Sequence, residues 1–92
     1  MKIIILVPIY NDWQSASKLL EEINSNIAGL ESQFSIIIIN DASTDQQSIN
    51  ALNTENLQSI KIINMKENRG HARCIATGLK HIFEKEEFDY VI

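Results

Sequence analysis

The sequence predicts an α/β fold built on a doubly wound parallel sheet, and three observations carry that prediction. Four short β-branched-rich runs recur along the chain, IIILV (3–7), SIIIIN (35–40), IKIIN (60–64) and FDYVI (88–92), and three of them are nearly continuous rather than alternating. Continuous apolarity marks strands covered on both faces, as in a parallel sheet. Segments with helical spacing separate the runs, so the order reads β-α-β-α-β-α-β and requires right-handed crossovers. With 92 residues, 45% of them hydrophobic and 22% charged, the chain makes one ordinary globular domain with a thin core.

The first run meets Pro8, the chain's only proline, whose fixed φ and missing N–H suit the end of a strand, where the ladder is finishing. Trp13, Ala16, Leu19, Leu20, Ile23 and Ile27 then fall at helical spacing, with Asn11 or Asp12 as N-cap and Gly29 as the stop. After the second run, STDQQSINAL offers Ser43 or Thr44 as the cap of a short helix whose apolar contacts are Ile49 and Leu52. The third helix begins right after Gly70, with Ala72, Ile75, Ala76, Leu79, Ile82 and Phe83 as one apolar stripe. Lys80 and Lys85 near its end suit the helix dipole. FDYVI reads as a buried-type strand that ends at the last residue with no turn chemistry after it. The expectation is therefore a domain cut short, with a sheet edge open to self-association.

Composition excludes several function classes. A net charge of −4 disfavours nucleic acid as a partner. Cys74 is alone, so no internal disulfide forms, and a reducing, cytoplasmic setting is expected. The run from Ile3 to Ile9 is too short for a membrane span and lacks a cleavage signal. G-x-S-x-G, P-loop and G-x-G-x-x-G signatures are absent. His71 and His81 point to different faces of one helix, about 15 Å apart along its axis, and no metal site is expected of them.

Ligands of open α/β sheets bind outside the carboxyl ends of the strands. PIYND, NDASTD and NRGHA all fall there, and together they form one candidate site. Asp41 either accepts an N–H from a flat heterocyclic base or satisfies the backbone of its own turn. Tyr10 lies against a base or packs at the rim, and Asp12 accepts a ribose hydroxyl or caps the helix. Asp45, at a helix start, reads as a cap. Around Asn68 and Gly70, backbone N–H groups at a helix entrance suit a phosphate, although Asn-x-Gly is also ordinary turn chemistry. Arg69 pairs with a pyrophosphate or is solvated, and Cys74 reads as a small packed residue.

In this order, VPIYND, NDASTD and NRGHARCIATGL resemble the N-terminal half of family 2 glycosyltransferases of the GT-A fold, nearest the polyprenyl-phosphate sugar transferases of the dolichol-phosphate mannose synthase kind. The resemblance covers the whole chain. It implies a three-layer Rossmann-like parallel sheet of strand order 3-2-1-4. It also implies that Pro8, Tyr10, Asn11 and Asp12 hold the nucleoside and that Asp41 recognises the base. Asn68, Gly70 and Gly78 shape the floor, and His71 takes a position often basic in the family. Pro8 is expected to turn the chain out of the sheet towards this pocket. Ala42 stands where the family commonly has glycine. Cys74, Ile75 and Ala76 stand where many members have Ala-Arg-Asn, and Ile75 favours the polyprenyl-type branch.

The reaction so implied moves a sugar from a nucleotide donor, a UDP- or GDP-sugar, to an acceptor sugar hydroxyl or a polyprenyl phosphate. Mg²⁺ or Mn²⁺ is expected on a D-x-D motif beyond residue 92, which leaves this stretch with the nucleoside half and no activity of its own. The full-length protein is expected in the cytoplasm or at the inner face of its membrane. A different class, a flavodoxin-like signalling module using Asp12 and Asp41 for a metal or phosphoryl group, is the alternative.

Overall fold

Along the chain of the computed structural model run β1 (Lys2–Ile9), α1 (Trp13–Ile27), β2 (Gln33–Asn40), β3 (Leu57–Asn64), α2 (His71–Lys85) and β4 (Tyr90–Val91). The structure describes residues 1–45, 49 and 53–92. Most of the short helix expected between Ser43 and Leu52 lies outside the described residues. The strands make one sheet in the order β3-β2-β1-β4, every pair parallel, as the sequence predicts.

β2 explains why its run is apolar at every position. Ile36 and Ile38 join the cluster under α1, while Ile37 and Ile39 join the one under α2. None of the four is more than 1% exposed, and burial of each such side chain stabilises the fold by about 1.5–3 kcal/mol. The sheet is thus the middle of three layers. On the α1 side Trp13, Ala16, Leu20 and Ile27 are buried, whereas Leu19, expected in the same stripe, is exposed. Gly29, at φ 84, ends the helix in the left-handed region. Asn24, buried in the helix, accepts the Asn56 N–H at 2.7 Å and anchors the lead into β3.

On the other face the structure corrects the expected stripe of α2. The residues that meet the sheet are Cys74, Gly78 and Ile82, spaced one turn apart, while Ala72, Ile75, Ala76 and Phe83 are exposed. Close approach is the reason: a Cβ on Gly78 would sit 2.5 Å from Leu6 Cδ1 and 3.2 Å from Ile39 Cδ1. Small residues let the helix backbone lie on β1 and β2, and the larger apolar residues are turned outward. Phe83 instead meets Phe88 edge to face, ring centres 5.2 Å apart.

The last strand also departs from expectation. β4 pairs Tyr90 with Ile3 and Val91 with Ile4, and among the described residues it has a neighbour on one side only, so Tyr90 and Ile92 are exposed rather than covered.

These assignments predict opposite responses in one helix. Gly78→Val should lower stability by about 1–3 kcal/mol through overpacking, whereas Ile75→Ser should change it by no more than about 0.5 kcal/mol, as at other exposed sites. Urea unfolding midpoints compare the two, and a larger loss for Ile75→Ser would restore the stripe read from the sequence.

Candidate functional site

Where the strands end, the backbone groups that the sheet leaves unpaired are taken up by side chains. Pro8 lies inside β1, in register with Ile39. The expectation that Pro8 turns the chain out of the sheet is thereby corrected: Asn11 does so, with φ 57. Proline is tolerated because Ile4 and Leu6, which share its alternation, bond to Ile92 on the β4 side, so the missing N–H faces away from β2. Asn11 then clasps the loop after β2. Its N–H donates to Ser43 Oγ and its Nδ2 to Thr44 Oγ1, both at 2.9 Å, and its Oδ1 accepts the Asp45 N–H at 2.9 Å. Asn40 makes the matching link towards β3: its Nδ2 donates to Asn64 Oδ1 at 2.9 Å, and its Oδ1 accepts the Ser43 N–H at 3.0 Å. Between these clasps Ala42 is held at φ 55, a conformation that favours glycine.

Asp41 is the most deeply buried polar group of this edge, 1% exposed. Its Oδ1 accepts the Arg69 N–H at 2.7 Å and its Oδ2 the Gly70 N–H at 2.9 Å. The neighbouring Cys74 thiol also favours the charged form of the same carboxylate. The Arg69 bond is the largest of the effects holding the Asp41 carboxyl below its ordinary range, against the opposing effect of burial. Asp41 thus satisfies backbone 28 and 29 residues away rather than its own turn. The same bonds occupy the Arg69 and Gly70 N–H groups that the sequence offered to a phosphate. Gly70, at φ 85, is the N-cap of α2, and no side chain caps that end. The N–H groups of the first turn, His71 to Arg73, precede any helical acceptor.

A pocket of about 240 Å³ opens beside the end of β1. Val7, Pro8, Ile9 and Leu19 give it apolar walls, and Tyr10, Asp12, Ser15 and His71 supply polar groups. Asp12 occupies the N-cap position of α1, yet its carboxylate makes no capping bond. Tyr10 is 42% exposed. The structure therefore brings Pro8, Tyr10, Asp12 and His71 together. Asn11, Asp41 and Gly70 form the frame beside them, and Asn68 is exposed on the loop outside the lining. Arg69 pairs with Glu67 at 2.7 Å on the surface. Sequence reasoning missed Ser15 and Leu19, which line the pocket one turn apart on α1. Their spacing was the available signal, but Leu19 was absorbed into the core stripe.

For a divalent cation the residues present do not fit. Among the described residues no three His, Cys, Asp or Glu side chains gather into a metal-binding group. Asp12 stands without a second acidic group in the pocket, and the Asp41 oxygens are occupied by backbone.

A parallel three-layer sheet, whose polar loops gather at the carboxyl edge, defines the Rossmann-like class of α/β domains, here as one half of a GT-A fold. The model of glycosyl transferase family 2 matches residues 4–92, and the chain belongs to that family. No solved structure gives a significant match to it. Family membership makes this a glycosyltransferase domain and does not favour the flavodoxin-like alternative. Among the described residues no helix is long and apolar enough to cross a membrane.

Two measurements check the geometry of the edge. Ala42→Gly should raise stability by about 0.5–1 kcal/mol, because the left-handed region costs alanine more than the added freedom of the unfolded chain costs glycine. Thermal unfolding of the variant at neutral pH reads this directly.

The second measurement follows pH. Burial, then the bond to Asp41, pushes the Cys74 thiol up from 9.0 to about 11. Because the folded value is raised, the stabilisation is complete below about pH 9.0 and lost as pH rises towards about 11. Asp41 has the opposite sign: its contribution is present above the ordinary carboxylate range and is lost as pH falls through its lowered folded value. An aromatic disulfide reagent at pH 8 should therefore modify Cys74 only as fast as the chain unfolds. Rapid labelling of the folded chain would contradict the burial.

Proposed function

We propose that this domain binds the nucleoside part of a UDP- or GDP-sugar, in a glycosyltransferase that passes the sugar to an acceptor sugar hydroxyl or to a polyprenyl phosphate. One observation carries the reading. The strand order reverses between β1 and β4, and at such a reversal ligands enter the crevice beyond the carboxyl ends of the strands. The pocket lined by Pro8, Tyr10, Asp12 and His71 lies beside that end of β1.

Within the pocket each group has a role suited to its chemistry. The Tyr10 ring stacks on the base, the Asp12 carboxylate accepts a ribose hydroxyl, and His71 at the start of α2 meets the polar side of the nucleotide. Pro8 shapes the wall. Asn11, Asp41, Asn68 and Gly70 complete the nucleotide site as its frame and rim. Exposed Ile75 supports the polyprenyl-type branch by its resemblance, and the domain works on the cytoplasmic side. The Mg²⁺ or Mn²⁺ of the reaction belongs to an acidic D-x-D pair C-terminal to Ile92. An ion held by such a pair would supply stabilisation of charge on the leaving diphosphate. The 92-residue chain then supplies binding and orientation without sugar transfer.

Calorimetric titration of the chain with UDP and GDP tests this reading. One of them should bind without a gain from Mn²⁺, and Tyr10→Ala should weaken that binding by about 1–3 kcal/mol, the range of base-aromatic stacking. Equal binding by the variant would remove Tyr10 from the site, and a strong Mn²⁺-dependent gain would place a metal within residues 1–92.

A further inference from the structure

We propose that the outward side of α2 docks on an anionic lipid bilayer, with Ile75 and Phe83 entering the headgroup layer. This surface shares no residue with the nucleotide pocket proposed above, so either reading stands or falls alone. Cys74, Gly78 and Ile82 are the buried residues of α2 and the ones that meet the sheet. Ala72, Ile75, Ala76, Leu79 and Phe83 follow one another at three- and four-residue spacings, and so share a second side of the same helix. Phe83 is 70% exposed and Ile75 41%, while Leu79 is half-buried. Phe88 supports the Phe83 ring edge to face without covering it.

Charge selects what covers this side. The chain as a whole carries −4, yet α2 holds Arg73, Lys80 and Lys85 against one acid, Glu84. Arg73 and Lys80 stand two turns apart along one flank of the apolar side. Both are exposed, and among the described residues neither joins an ion pair. Glu87 and Asp89, the acids on either side of Phe88, are engaged by Lys2: Glu87 accepts from Nζ at 2.8 Å and Asp89 from the backbone N–H at 2.7 Å. An apolar side flanked by cations is the pattern of a helix lying in a membrane interface, where apolar side chains enter the acyl boundary and Lys and Arg reach anionic headgroups. With 15 residues, α2 lies on a bilayer and does not span it. A helix side is convex, and a fluid lipid surface receives it without a matching groove.

Co-sedimentation of the 92-residue chain with vesicles tests the docking, using phosphatidylcholine alone and phosphatidylcholine mixed with phosphatidylglycerol. The mixed vesicles should bind at least about tenfold more tightly, and raising the salt should weaken that preference. Phe83→Ser should weaken binding to the mixed vesicles by at least about tenfold, since burial of the ring is lost. Arg73→Gln and Lys80→Gln should each weaken it by about fivefold, whereas Lys18→Gln, on α1 across the sheet, should change it by less than about twofold.

These side chains are exposed, so urea unfolding midpoints of the variants should match that of the unmodified chain, which separates lost docking from lost folding. Failure to bind either vesicle, equal binding to both, or an effect of Lys18→Gln as large as that of Lys80→Gln would overturn the proposal. So would a dimer in solution that Phe83→Ser dissolves, because a second copy of the chain would then be what covers α2. Nucleotide binding should be the same for Phe83→Ser as for the unmodified chain, and its absence in both would defeat the nucleotide reading while leaving the lipid surface in place.

Discussion

A carboxylate can be buried at low cost only when hydrogen bonds replace the water it gives up, and the end of β2 is organised by that constraint. Asp41 meets it with two backbone N–H groups drawn from the turn that leads into α2. These bonds tie the helix entrance to the strand, and the strand is tied to β1 through the Asp41 N–H. Loops after β1, β2 and β3 consequently share one edge. Asn11 and Asn40 extend the same solution sideways, each replacing lost ladder bonds with side-chain amides.

Most of the fold was legible in the sequence, because the features that specify it are local. The isoleucine runs of β2 report burial on both faces without knowledge of what covers them, and Gly29 and Gly70 punctuate the helices where a left-handed residue is needed. What failed to show was distance-dependent. Helical spacing identified α2 but misjudged its buried side, since the deciding quantity is how closely Gly78 approaches Leu6 and Ile39, from other elements. Apolar size alone favoured Ile75 and Phe83, which are exposed.

The candidate site divides in the same way. Tyr10 and Asp12 could be read as pocket residues because they follow the first strand at once, and their side chains are not taken by local bonds. Asn11 sits between them and has the same local credentials, yet its side chain is spent on Thr44 and Asp45, 33 and 34 residues on. Asp41 offered a choice between base and own turn, and within the chain its carboxylate bonds not to its own turn but to backbone that arrives from beyond β3. Polar residues at strand ends thus announce an edge well and their individual duties poorly.

Pro8 carries a consequence for any chain that runs beside β1 on the side away from β2. Such a chain can exchange hydrogen bonds with Ile4 and Leu6, as Ile92 does, but the next carbonyl it presents would find no donor at Pro8. An unanswered carbonyl between two strands is costly. On that side of β1 the ladder of hydrogen bonds therefore lapses at the level of Pro8, one residue short of where the chain passes into Tyr10 and Asp12.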